Sequence, residues 1–249
     1  TRFFSYPCTL QYLPRLKAGK TSTASSSVSS FVRKSGKSGS SEARAVSNFK
    51  ESWFSVAAAN YVSRNLQRVT GMPNGSSGYD GLVKAAMDAA TSFDVRRQQE
   101  IALQVIHNSI PSEISAMVKT LLPQSRMTRE CFAVFACIFF SWLVGPCEVH
   151  ESVLHKQKEK NVVHIKKCRF LEQTNCVGAC TNLCKIPSQI FIKASLGMPV
   201  HMVPNFEDMS CEMVFGQDPP SLADELAVKQ QPCYFACKSN KKVCNKVRC

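Results

Sequence analysis

Three cysteines recur at intervals of four, Cys176, Cys180 and Cys184, inside the stretch Cys168-Arg169-Phe170-Leu171-Glu172-Gln173-Thr174-Asn175-Cys176-Val177-Gly178-Ala179-Cys180-Thr181-Asn182-Leu183-Cys184-Lys185. On a regular helix this spacing lines them along one face, with Cys176 and Cys184 roughly 12 Å apart at a rise of ~1.5 Å per residue. A tetrahedral zinc site holds thiolates at ~2.3 Å, so its sulfurs stand within about 4 Å of one another. A straight helix cannot bring all three to one such ion. An iron–sulfur cluster tolerates wider spacing, and an irregular turn at Gly178 would help either arrangement. Cys168, Cys211 or the later pair Cys233 and Cys237 would complete a ligand set. The spacing matches neither a zinc ribbon nor the standard ferredoxin runs. Small residues at these positions also suit close helix packing, so packing and metal binding both remain open.

The chain has thirteen cysteines in 249 residues. No basic patch followed by a 7–15-residue apolar run marks a secretory leader, so metal binding or redox chemistry is expected ahead of a disulfide framework. A hydrophobic fraction of 44% is enough to build a core without disulfides. The net charge of +13 invites a nucleic-acid reading, but the excess sits at the ends. Residues 1–48 hold eight Lys/Arg against the single acid Glu42, and the last twelve residues add five more cations with no acid. No nucleic-acid partner is therefore expected.

Composition also divides the chain. Residues 1–48 include twelve serines and read as an organelle transit peptide without a fold of its own, cleaved somewhere between positions 40 and 55. Residues 49–146 form a helical region. Trp53, Val56, Ala57, Tyr61 and Val62 give a first apolar face, and 72–78 (MPNGSSG) breaks it. Leu82, Ala86, Ala89, Ala90 and Phe93 give a second; 99–110 and 112–122 give two more. Positions 131–144 (CFAVFACIFFSWLV) are almost continuously apolar yet fall short of the ~20 residues that span a bilayer. A buried core helix, the wall of a lipid pocket and a peripheral membrane contact all remain open for it. Residues 147–237 form a cysteine-rich domain, with one hairpin over 147–155 and 161–167 around a charged turn at 156–160. A second strand pair is expected at 199–204 and 211–215. Residues 238–249 are a basic tail. The fold class is α+β.

Histidines say less. His150, His155, His164 and His201 have no metal-protease spacing; His201, on the second strand pair, is a candidate iron ligand or a packing residue. Glu207 and Asp208 are adjacent, which on a strand points them to opposite faces, so they do not read as a paired acid and base.

At these residues a resemblance emerges. Trp142-Leu143-Val144-Gly145-Pro146, Cys168-Arg169-Phe170-Leu171-Glu172, Cys176-Val177-Gly178 through Cys180, Asn182, Cys184, Lys185 and Pro187, and Pro204-Asn205-Phe206-Glu207-Asp208 through Ser210-Cys211 resemble the Dwarf-twenty-seven type β-carotene isomerases. The resemblance covers roughly 49–237, and the "like" paralogues are nearest. It implies a plastid protein, in the stroma or peripheral to plastid membranes, that interconverts all-trans and 9-cis β-carotene in strigolactone precursor synthesis. It also implies iron, as an iron–sulfur cluster or non-haem iron. The metal ligands it points to are Cys168, Cys176, Cys180, Cys184 and Cys211, with Cys233, Cys237 and His201 as further candidates. Phe135, Phe139, Phe140 and Trp142 would line a carotenoid channel. An iron–sulfur electron-transfer or scaffold protein is the alternative; it would use the same cysteines without a lipid-sized apolar surface.

Overall fold

The protein was analysed as a computed structural model that describes residues 51–154 and 156–220. The transit-peptide segment, the basic tail, Cys233 and Cys237 lie outside the described residues.

Four helices come first: α1 (Trp53–Thr70), α2 (Gly78–Ser92), α3 (Val95–Ser109) and α4 (Ser112–Leu121). Their starts follow local chemistry. The Ser52 hydroxyl accepts the Ser55 N–H at 3.1 Å and the Asp94 carboxylate accepts the Arg97 N–H at 2.9 Å, each satisfying a helix-start donor that has no partner inside the helix. Gly71 ends α1 in the left-handed region, at φ 72°. Ala85, Ala86 and Ala89 of α2 are buried with Leu66 of α1 and Ile101 and Val105 of α3, so the helices meet through small side chains.

Helix α5 (Arg126–Phe139) and the single turn α6 (Ser141–Val144) carry the apolar segment, which Gly145 closes at φ 93°. A four-stranded antiparallel sheet follows, in order β1-β2-β4-β3, from β1 (Glu148–Leu154), β2 (Gln157–Ile165), β3 (Val200–Pro204) and β4 (Cys211–Phe215). In the expected hairpin, the 156–160 stretch is mostly strand: Leu154 already pairs with Gln157, and Lys156 turns the chain at φ 66°. Alternation explains why. Glu159 and Asn161 point inward with Val163 and Ile165, so the lysines between them face out without ending the strand. The second strand pair lies where expected, and α+β is the fold class.

One face of the sheet makes the core. Val149, Val163, Met213 and Met202 stand in register across it, and α5 covers them with Phe132, Ala133 and Ala136. Phe132 stacks on Phe215 at 6.0 Å. A buried ion pair fixes α5 on the sheet: Arg129 donates from Nε and Nη2 to the two carboxylate oxygens of Glu159, both at 2.6 Å. Gly216 (φ 89°) makes room for it, because a Cβ there would stand 2.1 Å from Arg129 Cδ. Asn161, also buried, donates to the Phe215 carbonyl at 2.7 Å and accepts from the Ser152 hydroxyl at 2.7 Å.

The Arg129 hydrogen bonds hold the Glu159 carboxyl below its usual range. A lowered folded-state pKa means the contribution is complete above the unfolded carboxylate value of about 4.3 and is lost as pH falls through the folded value. Arg129→Ala leaves a buried carboxylate behind and is expected to cost about 3 kcal/mol at neutral pH in urea unfolding. The difference from wild type should shrink on acidification; an unchanged difference at acid pH would show that the pair is not the cause.

Candidate functional site: a buried thiol layer

Between β2 and β3 the chain makes α7 (Arg169–Thr174), the short α8 (Val177–Ala179), a π-helical turn over Cys180–Lys185, and α9 (Ile186–Leu196). The π turn is widened: the Ile186 N–H returns to the Thr181 carbonyl, five residues back. Pro187 follows and has no N–H to return to the previous turn, so a regular α ladder cannot run through it. Asn182 anchors the turn by donating to Gln98 Oε1 at 2.9 Å, while Gln98 donates to the Ala90 and Phe93 carbonyls at 2.8 and 2.7 Å. This buried amide chain ties the turn to the end of α2.

The irregularity separates the cysteines. Cys176 lies ahead of the helix, where its sulfur accepts the Ala179 N–H at 3.4 Å, and it packs with Ala90, Ala179, Met87 and Leu183 against α2. Cys180 and Cys184 turn toward the main core, where Cys168 and Cys211 also pack. Cys168 starts α7 and donates its N–H to the Met209 carbonyl at 2.7 Å, which holds α7 against the approach to β4. Cys211 opens β4 opposite Ile165, on the core face. Burial is the main force raising all four thiols, and the charge of one thiolate disfavours another: Cys180 feels Cys184, Cys168 and Cys211. Cys184 is pushed up to about 12. Lys185, 2% exposed, shares this layer near Cys180 and Cys211, and burial pulls its ammonium down to about 8.

Among the described residues, no three His, Cys, Asp or Glu side chains stand close enough to hold one metal ion. The four thiols share one core cluster without forming such a group. His201 sits between the core residues Val200 and Met202, so alternation sends it to the opposite sheet face from Cys211. Burial and then the nearby Lys185 lower its pKa. Asp208 caps its loop by accepting the Ser210 N–H at 2.8 Å, and Asn205 caps Glu207 at 2.9 Å.

The four aromatic residues expected along a channel divide. Trp142 is buried with Ala59, Tyr79 and Leu82. Phe135 and Phe139 stack at 5.1 Å on the outside of α5, and Phe140 meets Phe139 edge-on at 5.1 Å. Phe54 joins them from α1, at 5.8 Å from Phe139. Apart from the exposed Arg126–Glu130 pair of its first turn, the outer side of α5 is apolar: Met127, Cys131, Val134, Phe135 (54% exposed) and Ile138 (72%) follow one another at helical spacing. Trp53, 83% exposed, stands at the edge.

Sequence reasoning missed Tyr79 and the role of Arg169. The Arg169 guanidinium lies 3.6 Å from the centre of the buried Tyr79 ring and bonds Glu51 at 2.5 Å. The Tyr79 hydroxyl donates to the Leu143 carbonyl at 2.5 Å. Burial and then Cys168 raise the Tyr79 phenol. An arginine next to a buried cysteine inside an apolar motif was the available signal; its aromatic partner, ninety residues away in sequence, gave none.

Residues 142–224 match the family described as "Beta-carotene isomerase D27-like, C-terminal". The chain is 54% identical over 193 residues to the chloroplastic β-carotene isomerase D27 of Medicago truncatula, covering 78% of this chain and 76% of the relative. It is 50% identical over 196 residues to the chloroplastic β-carotene isomerase D27 of Arabidopsis thaliana, covering 78% and 74%. This chain belongs to the D27 family. No solved structure matches it. The matched D27 C-terminal region begins at Trp142 and so takes in the whole thiol layer except Tyr79.

Exposure orders the thiols by reactivity. Under native conditions a small alkylating reagent should label the exposed Cys131 first, while Cys168, Cys176, Cys180 and Cys211 react only on unfolding, because each is buried and burial also holds Cys168, Cys180 and Cys211 as the unreactive thiol. Peptide mass analysis over time reads this order; rapid native labelling of Cys180 would contradict the burial of the layer.

Proposed function

We propose that this chain is a plastid carotenoid cis–trans isomerase that interconverts all-trans and 9-cis β-carotene in the supply of strigolactone precursors. Membership of the D27 family supports the reaction class. The single structural observation that carries the reading is the join between an exposed apolar face and a buried thiol layer. Phe54 touches Phe139 on that face, and three residues earlier Glu51 bonds Arg169, the neighbour of Cys168.

β-Carotene is a hydrocarbon and resides in lipid, so its isomerase must meet it there. The outer side of α5 suits that contact: it carries no charge between Cys131 and Phe139, and its aromatic rings and Trp53 fit the boundary between headgroups and acyl chains. Among the described residues no helix is long and apolar enough to cross a membrane. The contact is peripheral.

Rotation about a polyene double bond requires a brief loss of π-bond order. Cys168, Cys180, Cys184 and Cys211 are the residues that would hold iron. Four soft thiol donors packed in one buried layer are the donor type that iron–sulfur clusters take. A cluster held there would supply one-electron exchange with the polyene. The chain's own contribution is to exclude water and fix the donors. Tyr79 and Arg169 brace Cys168 from one side, and the Gln98–Asn182 bond sets the direction of Cys180 and Cys184. Cys176 serves the fold: a serine there can accept the same Ala179 N–H.

Purified full-length protein, prepared without oxygen, is incubated with carotenoid-loaded vesicles, and isomer ratio, iron and sulfide are measured on one preparation. Wild type should shift the isomer ratio. Serine at 168, 180, 184 or 211 should lower iron and turnover together, whereas Cys176→Ser should keep both. Protein that binds iron but never changes the isomer ratio would replace this reading with the electron-transfer or scaffold one.

The membrane contact has its own test. Ile138→Ser and Phe135→Ser each remove an apolar side chain worth about 1.5–3 kcal/mol when buried, so co-flotation with vesicles should fall by about tenfold or more, with iron content unchanged. Undiminished flotation of the double variant would remove α5 as the contact surface.

A further inference from the structure

Cys137 and Cys147 belong to neither the thiol layer nor the exposed stripe. Cys137 lies in the last turns of α5, and Cys147 immediately precedes β1. Their side chains cross: the Cys137 thiol donates to the Cys147 carbonyl at 2.8 Å, and the Cys147 thiol donates to the Cys137 carbonyl at 3.2 Å. Both are free thiols and both are half-buried, so a reagent can reach them, unlike Cys168, Cys180 and Cys211. No other pair of cysteines among the described residues has reciprocal sulfur–carbonyl contacts in which each thiol reaches the other's backbone.

We infer that Cys137 and Cys147 form a redox-modification site, a dithiol that closes to a disulfide when it meets a low-molecular-weight disulfide or the oxidised dithiol of a redox protein. Because each sulfur already reaches the other residue's backbone, rotation of the two side chains about χ1 would bring the sulfurs together and exchange the paired thiol–carbonyl bonds for a sulfur–sulfur bond. One thiolate attacks the oxidant's disulfide, giving a mixed disulfide and releasing one thiol of the oxidant. The second protein thiol then attacks the mixed disulfide and releases the other. Two electrons pass to the oxidant, and the two protein thiol protons end on its released thiols. Burial and the neighbouring Cys137 thiol push Cys147 up to about 12, so it is the poorer nucleophile and attacks only once a mixed disulfide on Cys137 stands beside it.

The bond would close a loop across the end of α5, all of α6 and the Gly145-Pro146 corner. That loop carries Phe139 and Phe140 of the aromatic face, Trp142, and the Leu143 carbonyl that accepts the Tyr79 hydroxyl. Oxidation therefore staples the segment joining the aromatic face to the thiol layer. The site stands independently of the isomerase reading, because it is defined by two thiols that reading does not use.

Full-length reduced protein is incubated with oxidised glutathione, free thiols are capped with iodoacetamide, and peptides are mapped by mass. Wild type should give a Cys137–Cys147 cross-linked peptide, with loss of both capped forms together and recovery of both on treatment with dithiothreitol. Cys147→Ser should trap glutathione on Cys137, and Cys137→Ser should leave Cys147 capped. Serine retains the hydroxyl donor to the facing carbonyl, so both variants keep the local fold. Wild-type protein in which Cys137 and Cys147 are capped independently, at oxidant concentrations that already glutathionylate the exposed Cys131, would overturn the inference. So would a cross-link from either cysteine to any other partner.

Discussion

The widened turn at Cys180–Lys185 is the constraint on which the rest of the site depends. A regular helix from Val177 to Leu196 would place Cys176, Cys180 and Cys184 on one drifting stripe. The five-residue return to Thr181, held by the Gln98–Asn182 bond and followed by Pro187, lets Cys180 and Cys184 face the core while Cys176 faces α2. The same turn sets the path of α9, whose Gln189 accepts the Met202 N–H at 2.8 Å and so covers the edge strand β3. One local departure from helix geometry thereby fixes the thiol layer, the sheet edge and the packing of α3 against α9.

Burying this layer has a cost that the surrounding structure offsets with aromatic and amide contacts. Arg169 enters the interior next to Cys168 and is met by the Tyr79 ring and the Glu51 carboxylate. A guanidinium over an aromatic face with a carboxylate at its edge keeps its charge at far less expense than an isolated ion would. Lys185 enters from the other side, near Cys180 and Cys211. Lys185 partly offsets the effect of burial on Cys180 and Cys211, but burial dominates and all four groups are held as thiols.

Much of the fold was legible because its signals are local. The helix break at 72–78 and the two strand pairs follow from residues within a few positions of one another. The charged 156–160 stretch misled because two inward polar residues, Glu159 and Asn161, satisfied by Arg129 and Phe215, look like turn residues when their partners are unseen. At the site, the sequence singled out cysteines that the fold packs into one layer, Cys168, Cys180, Cys184 and Cys211, but could not separate Cys176 from them. That separation depends on a hydrogen-bond register, and its anchor, Gln98, lies 84 residues from Asn182. Tyr79 was illegible for the same reason.

The outer side of α5 shows most clearly what a pattern cannot decide. Residues 131–144 are apolar on every side, and such a helix is ordinarily buried all round. Here the sheet covers only Phe132, Ala133 and Ala136, and the opposite side remains open with Phe135 and Ile138 on it. A fourteen-residue helix extends roughly 21 Å, short of the ~30 Å hydrocarbon core, so it cannot satisfy that side by spanning a bilayer. Lying along a lipid surface does satisfy it, and the sheet beneath then holds the helix parallel to that surface. The Arg129–Glu159 pair sits on the inner side of the same helix, about half a turn from Met127 and Cys131 on the outer. The bond that fixes α5 to the sheet is thus also what keeps its apolar side facing outward, where a hydrocarbon substrate would arrive.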